Sequence, residues 1–159
     1  MGQAKQKKDR DATKGYFAFP AYITKSPNFF KMSGSAMKVL MFICHQFRGG
    51  NNGDLSATLK MCKPLGVVTS QETLTKALME LEYYGFIVKT RQGGKNFCSL
   101  YAITWLQINE CADRNGNTKI GTFAKSPAPG GFHSDKPKFK YIPVPRNNPA
   151  KKKNGRKKN

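Results

Sequence analysis

Apolar residues first fall into a helical period at Ala36, Val39, Leu40, Ile43 and Phe47, the spacing of one face of an α-helix, which Phe42 widens. Ser33 or Ser35 caps its start, and Gly49-Gly50-Asn51-Asn52-Gly53 stops it with turn formers. Asp54-Leu55-Ser56-Ala57-Thr58 then leads into a short second helix, with Asp54 or Ser56 as its cap and Leu59 and Cys62 on one side. Pro64 and Gly66 end it, because proline lacks the N–H and clashes within a helix. A third helix opens on Thr69-Ser70-Gln71-Glu72, which has the form of a capping box: the Thr69 hydroxyl takes the amide three residues on and Glu72 reaches back. Leu74, Ala77, Leu78 and Leu81 are its apolar stripe, and Gly85 is its stop. Glu72, Lys76, Met79 and Tyr83 fall opposite that stripe, Thr73 and Thr75 flank them, and the outward face is expected to show acids at 72 and 80.

Two strands follow, Phe86 to Thr90 and Phe97 to Trp105, both rich in β-branched and aromatic residues. Arg91-Gln92-Gly93-Gly94-Lys95-Asn96 lies between them. Its two glycines permit positive φ, so the strands are expected to turn back as a hairpin with Arg91 and Lys95 near the tip. Upstream, Tyr16-Phe17-Ala18-Phe19-Pro20 and Tyr22-Ile23 form a short strand or an extended strap over the core, and Asn28-Phe29-Phe30 forms one helical turn.

Helix, short helix, tight turn, capped helix, glycine, strand, basic tip, strand is the order of a winged helix-turn-helix domain, an α+β fold of three helices and a β-hairpin wing. In such a domain the third helix turns its polar face outward. The major groove of B-DNA, about 12 Å wide, admits one α-helix, and the hairpin tip reaches the flanking backbone. Ser70, Gln71, Thr73 and Lys76 are therefore the candidate DNA-reading residues, and Arg91, Gln92 and Lys95 the candidate contacts of the wing. The plain alternative for the helix residues is an ordinary solvated face. A wing can also make protein contacts, and Met79 or Tyr83-Tyr84 can serve a dimer interface.

Charge strengthens the nucleic-acid reading. The chain has 159 residues, 28 Lys and Arg against 9 Asp and Glu, and a net charge of +19. Residues 111–159 alone hold thirteen basic and two acidic groups together with six of the nine prolines, and they end in Lys151-Lys152-Lys153 and Arg156-Lys157-Lys158. Such a segment buries too little apolar surface to offset its conformational entropy. The expected division is a basic arm over 1–14, a folded domain over 15–110 and a disordered basic tail over 111–159. Lys151, Lys152, Lys153, Arg156, Lys157 and Lys158 join the candidate DNA contacts, because each phosphate that they neutralise releases counterions.

Other classes lose ground. No run of about 18 apolar residues marks a membrane span, and no apolar segment near Met1 marks a secretory signal. Cys44, Cys62, Cys98 and Cys111 lack metal-ligand spacing and read as reduced thiols of a cytoplasmic, nucleoid-associated bacterial protein. The folded part holds five acids, Asp54, Glu72, Glu80, Glu82 and Glu110, with no facing pair. Cys44 and His45 diverge as neighbours on a helix, and no hydrolase, P-loop, zincin or dinucleotide motif occurs. No catalytic residue, metal or cofactor is expected.

Phe17 to Trp105 resembles the winged-helix domains of proteins encoded by bacterial plasmids, phages and integrated elements. The resemblance rests on four places: Phe19-Pro20 with Ser26-Pro27; Asn51-Asn52-Gly53-Asp54-Leu55-Ser56; Leu74, Ala77, Leu78 and Leu81 with Gly85-Phe86-Ile87; and Thr90-Arg91-Gln92-Gly93-Gly94 with Ser99-Leu100-Tyr101-Ala102. Such domains are similar to the N-terminal modules of plasmid replication initiators and to small transcriptional regulators. The resemblance implies a sequence-specific double-stranded DNA-binding protein of a mobile element, acting as a transcriptional regulator or replication accessory factor, with a homodimer as one form. The alternatives are a winged helix that binds a protein partner of the same element, as inhibitor or assembly factor, and an RNA-binding protein that uses the basic tail.

Overall fold

In the computed structural model, which describes residues 17–120 and 131–143, the aromatic lead-in is neither strand nor strap throughout. Residues 17–20 are extended, and Ala21–Thr24 wind into one helical turn, α1. A 3-10 turn follows at Phe29–Lys31. Helix α2 spans Gly34–His45 and is capped by Ser33, whose Oγ accepts the Ala36 amide at 3.2 Å. Its periodic residues Ala36, Val39, Leu40 and Ile43 are fully buried.

The next two caps differ from expectation. Helix α3, Leu59–Cys62, is capped by Thr58, whose Oγ1 takes the Met61 amide at 3.3 Å. Neither earlier candidate is available: Asp54 is paired with Lys119, and the backbone of Ser56 is bonded to the Gln46 side chain. Helix α4, Gln71–Tyr84, is capped by Ser70 and not by Thr69. Ser70 Oγ accepts the Thr73 amide at 3.1 Å, and Glu72 pairs with Lys76 at 2.9 Å. At the far end Gly85 adopts φ +79°, with the Phe86 amide on the Leu81 carbonyl and the Gly85 amide on that of Glu82. This double closure demands a left-handed residue, which glycine supplies without strain.

Strands β1, Ile87–Arg91, and β2, Leu100–Ile103, pair antiparallel, with Ile87 opposite Ile103 and a register irregularity between Lys89 and Arg91. Strand β1 is shifted by one residue from the expected Phe86 to Thr90, and β2 is shorter than the run from Phe97 to Trp105 that announces it. Gly93 and Gly94 do not take positive φ. A Cβ on Gly93 would stand 2.6 Å from the Ser99 amide nitrogen, and one on Gly94 2.9 Å from the Phe97 ring, so close approach is what excludes a side chain there. Leu55 adds a single bridge to Tyr101 on the open edge of β2, with hydrogen bonds of 3.3 and 2.7 Å. Among the described residues the architecture is thus mixed α and β: four helices, two of them single turns, and one two-stranded hairpin.

Both faces of β2 are covered. Tyr101 and Ile103 join the main core with Ile23, Leu40, Leu74 and Phe86. Leu100 and Ala102 face a second, small cluster with Ile108 and Ile120. That cluster corrects the expected boundary at residue 110. Beyond it the chain folds back through an Ala112–Thr118 bridge, and Ile120 is buried.

The larger correction concerns residues 131–143, which we call the strap. Phe132 is only 1% exposed, stacked on Phe86 at 5.6 Å and edge-on to Trp105 at 6.2 Å. Proline and lysine dilute the segment's average hydropathy, yet one buried ring, Phe132, and two half-buried ones, Phe139 and Tyr141, seat it. The arm over 1–14 and the lysine and arginine run from Lys151 to Lys158 lie outside the described residues.

Candidate nucleic-acid interface

Helix α4 has one face in the core and two flanks with different neighbours. Along one flank Gln71, Thr75 and Met79 meet Lys89, Gln92 and Phe97 of the hairpin across a groove of about 510 Å³. Lys89 Nζ lies 3.4 Å from Glu82 and over the Tyr101 ring. The structure therefore brings Gln71 and Gln92 to one concavity. Thr75 and Lys89, which were not among the candidates, belong with them. The signal for Thr75 is its place one turn beyond Gln71.

The other candidates are placed differently. Ser70 and Thr73 are engaged with each other: besides the cap, their hydroxyls stand 2.8 Å apart. Lys76 turns to the opposite flank, between Glu72 and the face of the Tyr141 ring, 4.8 Å from its centroid. The hydrogen bond to Glu72, and secondarily its negative charge, raise the Lys76 pKa above the ordinary lysine value. Glu80 corrects the expected outward acid. It is buried, and its carboxylate accepts the Ser33 amide at 2.8 Å and the Ser33 hydroxyl at 2.6 Å.

On the hairpin, Arg91 is not a free cation. Its Nη2 donates to the Cys98 carbonyl at 3.1 Å, and its guanidinium lies 5.2 Å from the Phe97 centroid, so it braces the tip. Its Nε is buried without a hydrogen-bond partner among the described residues. Lys95, exposed and unpaired among the described residues, is the charge that the tip offers to solvent.

The second flank of α4 is lined by the strap, which runs antiparallel to the helix. Gly131 packs on Gly85 at the helix's C-terminal end, where a Cβ on Gly85 would stand 2.6 Å from the Gly131 carbonyl carbon. Lys136 Nζ then donates to the Tyr83 carbonyl and lies over the Tyr83 ring. The Phe139 amide donates to the Tyr84 hydroxyl at 2.9 Å, and Tyr141 reaches Lys76. Asn28 holds the strap's backbone from below: its Nδ2 donates to the carbonyls of Phe132 and Ser134 at 3.1 and 2.7 Å, and its Oδ1 accepts the Lys136 amide at 3.0 Å.

All four cysteines are free, and burial pushes the Cys44 thiol up to about 12, away from the thiolate form. Among the described residues no three His, Cys, Asp or Glu side chains gather as metal ligands, and no helix is long and apolar enough to cross a membrane. No family model, curated protein or solved structure matches the chain.

Proposed function

We propose that the protein is a sequence-specific binder of double-stranded DNA with a winged helix-turn-helix domain. In this reading α3 and α4 are the helix-turn-helix, the β1–β2 hairpin is the wing, and Leu55 is the remnant of the third strand. The observation that carries it is the groove shared by Gln71 and Thr75 of α4 and Gln92 of the hairpin. An amide on the exposed first turn of a helix reads base edges, a bidentate pairing with adenine being the most specific available to glutamine. Lys95 at the tip supplies phosphate contact, and the basic ends of the chain add sequence-independent affinity. The resemblance to domains of mobile elements extends the proposal to a regulator or replication accessory factor of such an element.

A second reading, a protein contact with a copy of itself or another partner, draws on the outer face of α2. Met37, Met41, Phe42 and Val67 line a shallow apolar groove of about 300 Å³ there. Selection of sites from random duplex DNA by the full-length chain, near physiological salt, separates the two. One enriched motif is expected, and its symmetry reports a dimer. Gln71→Ala is expected to relax the preference at one or two positions, by about 1–3 kcal/mol per lost base contact, with bulk affinity nearly unchanged. No enriched motif, or a Gln71→Ala protein that selects the same one, would overturn the reading role and favour the protein contact.

A further inference from the structure

The exposed side of α4 carries no excess of positive charge. Glu72 holds Lys76 and Glu82 holds Lys89, so both outward acids are already neutralising a lysine. If this helix enters a groove of DNA, the cations that meet phosphate must stand beside it. An α-helix with its side chains is about 10–12 Å across, close to the about 12 Å of the major groove. The elements on its two flanks therefore come to rest over the two phosphate backbones that border the groove.

On one flank stands the hairpin with Lys95. On the other stands the strap. Its residues alternate from Phe139 onward: Phe139 packs on Tyr83 and Tyr141 on Lys76, while Lys138 and Lys140 are exposed, with no acid partner among the described residues. The backbone around these lysines is held by Tyr83, whose hydroxyl donates to the Pro137 carbonyl at 3.2 Å, and by Tyr84, whose hydroxyl accepts the Phe139 amide at 2.9 Å, and the segment that leads to them is fixed as well. Asn28 takes three of its polar groups, and Ser26 Oγ donates to the Phe132 carbonyl at 2.6 Å. Lys31 pairs with Asp135 and donates to the Lys136 carbonyl at 2.7 Å. Two unpaired lysines are thus held in a set position along a helix flank, where binding does not have to order a free segment first.

We propose that the strap is a second DNA-backbone contact, with Lys138 and Lys140 holding phosphates on the flank of α4 opposite the hairpin. The proposal rests on the duplex-DNA reading above and adds a part of the interface that lies outside the helix-turn-helix and its wing. It assigns residues 131–143 two tasks. The inward rings complete the core, and the outward lysines bind.

The test is a salt series with the full-length chain and a duplex bearing its selected site, read by fluorescence anisotropy. Each phosphate contact contributes about 0.9 to the slope of log K against log salt. Lys138→Ala with Lys140→Ala should flatten that slope by about 1.8 and leave the selected motif and the melting temperature unchanged. Replacement of both by arginine should restore the slope. Lys38→Ala, on the outer face of α2, should leave it unchanged. An unchanged slope in the double alanine protein, or an equal loss in Lys38→Ala, overturns the strap contact while the DNA reading stands. Failure of the unsubstituted chain to bind duplex with any salt dependence overturns both.

Discussion

The hairpin and the strap border the same helix, and each is clamped by one fully buried asparagine. Asn52 donates to the carbonyls of Ile103, Leu106 and Gln107 and accepts the Ile103 amide at 2.7 Å, which pins the base of β2. Asn28 does the same service for the strap. The two flanks otherwise differ in construction. The hairpin pairs its own backbone, strand against strand, and its sequence is contiguous. The strap has no ladder. The polar groups of its first half are met by side chains more than a hundred residues earlier in the chain, those of its second half by Tyr83 and Tyr84, and its grip comes from rings packed on the core. A ladder spreads its stability over many small contributions, whereas an anchored segment concentrates it in a few.

The sharpest way to break this comparison is to remove one ring from each flank. Phe132→Ala is expected to cost about 3–5 kcal/mol in urea denaturation, as for a large ring deleted from a close-packed core. Phe97→Ala, at a site 53% exposed on the hairpin tip, should cost well under about 1 kcal/mol. A loss below about 1 kcal/mol for Phe132→Ala would mean that the strap is an accessory and not part of the fold.

That asymmetry also explains what could be read from the sequence. The helical periods at Ala36–Phe47 and Leu74–Leu81 and the β-branched runs around Ile87 and Tyr101 are local patterns, and each appears as an element of the expected type. Cap identity was less legible. Thr69, Ser70 and Thr73 all present hydroxyls within one turn, and the choice of Ser70 depends on where the chain arrives from Val68, whose side chain is buried. The burial of Glu80 depends on Ser33, 47 residues away, and no local pattern reports that partner. The strap was illegible for a stronger reason. Lysine and proline make up five of its thirteen residues, and Phe132, Phe139 and Tyr141 follow no helical period, so disorder is the reading that composition favours. Of the candidate site, Gln71 and Gln92 were legible because helix register and hairpin position bring them out. Arg91 was not, since its engagement with Cys98 and Phe97 is set by the path of the tip.

The clamps offer a finer comparison. Replacement of either asparagine by alanine removes the side-chain partner of one amide and of two or three carbonyls, of which those of Phe132 and Ile103 keep another donor, a penalty of about 1–3 kcal/mol in each case. The location of the damage should differ. Asn52→Ala should raise amide hydrogen exchange at Ile103, whose amide donates to Asn52 Oδ1. Asn28→Ala should raise exchange at Lys136 and Phe139 and leave Ile103 protected. Loss of protection across both flanks in either variant would show that hairpin and strap open as one unit, against the separation drawn here.

The smallest expected effect is a dependence on acid confined to the support of the hairpin. The Asp113 carboxylate accepts the Asn117 and Asn115 amides at 2.9 and 2.8 Å, and these bonds hold its pKa below the usual carboxylate value. The turn that they close leads to Ile120, which packs on the outer face of β2 with Leu100 and Ala102. A carboxyl whose folded pKa is depressed contributes stability that is present above its unfolded value, about 3.9, and is lost as pH falls through the folded value. The Asn115 and Asn117 amide resonances should therefore shift with a midpoint below about pH 3.9, and Asp113→Ala should abolish the shift. Over the same titration the Lys136 and Phe139 amides should stay protected, because they donate to the Asn28 amide oxygen and the Tyr84 hydroxyl and not to a carboxylate. A midpoint at or above the ordinary carboxylate value would remove the two amides as the cause. Equal loss of protection at Lys136 would tie the strap to the hairpin's support and erase the difference between the two flanks.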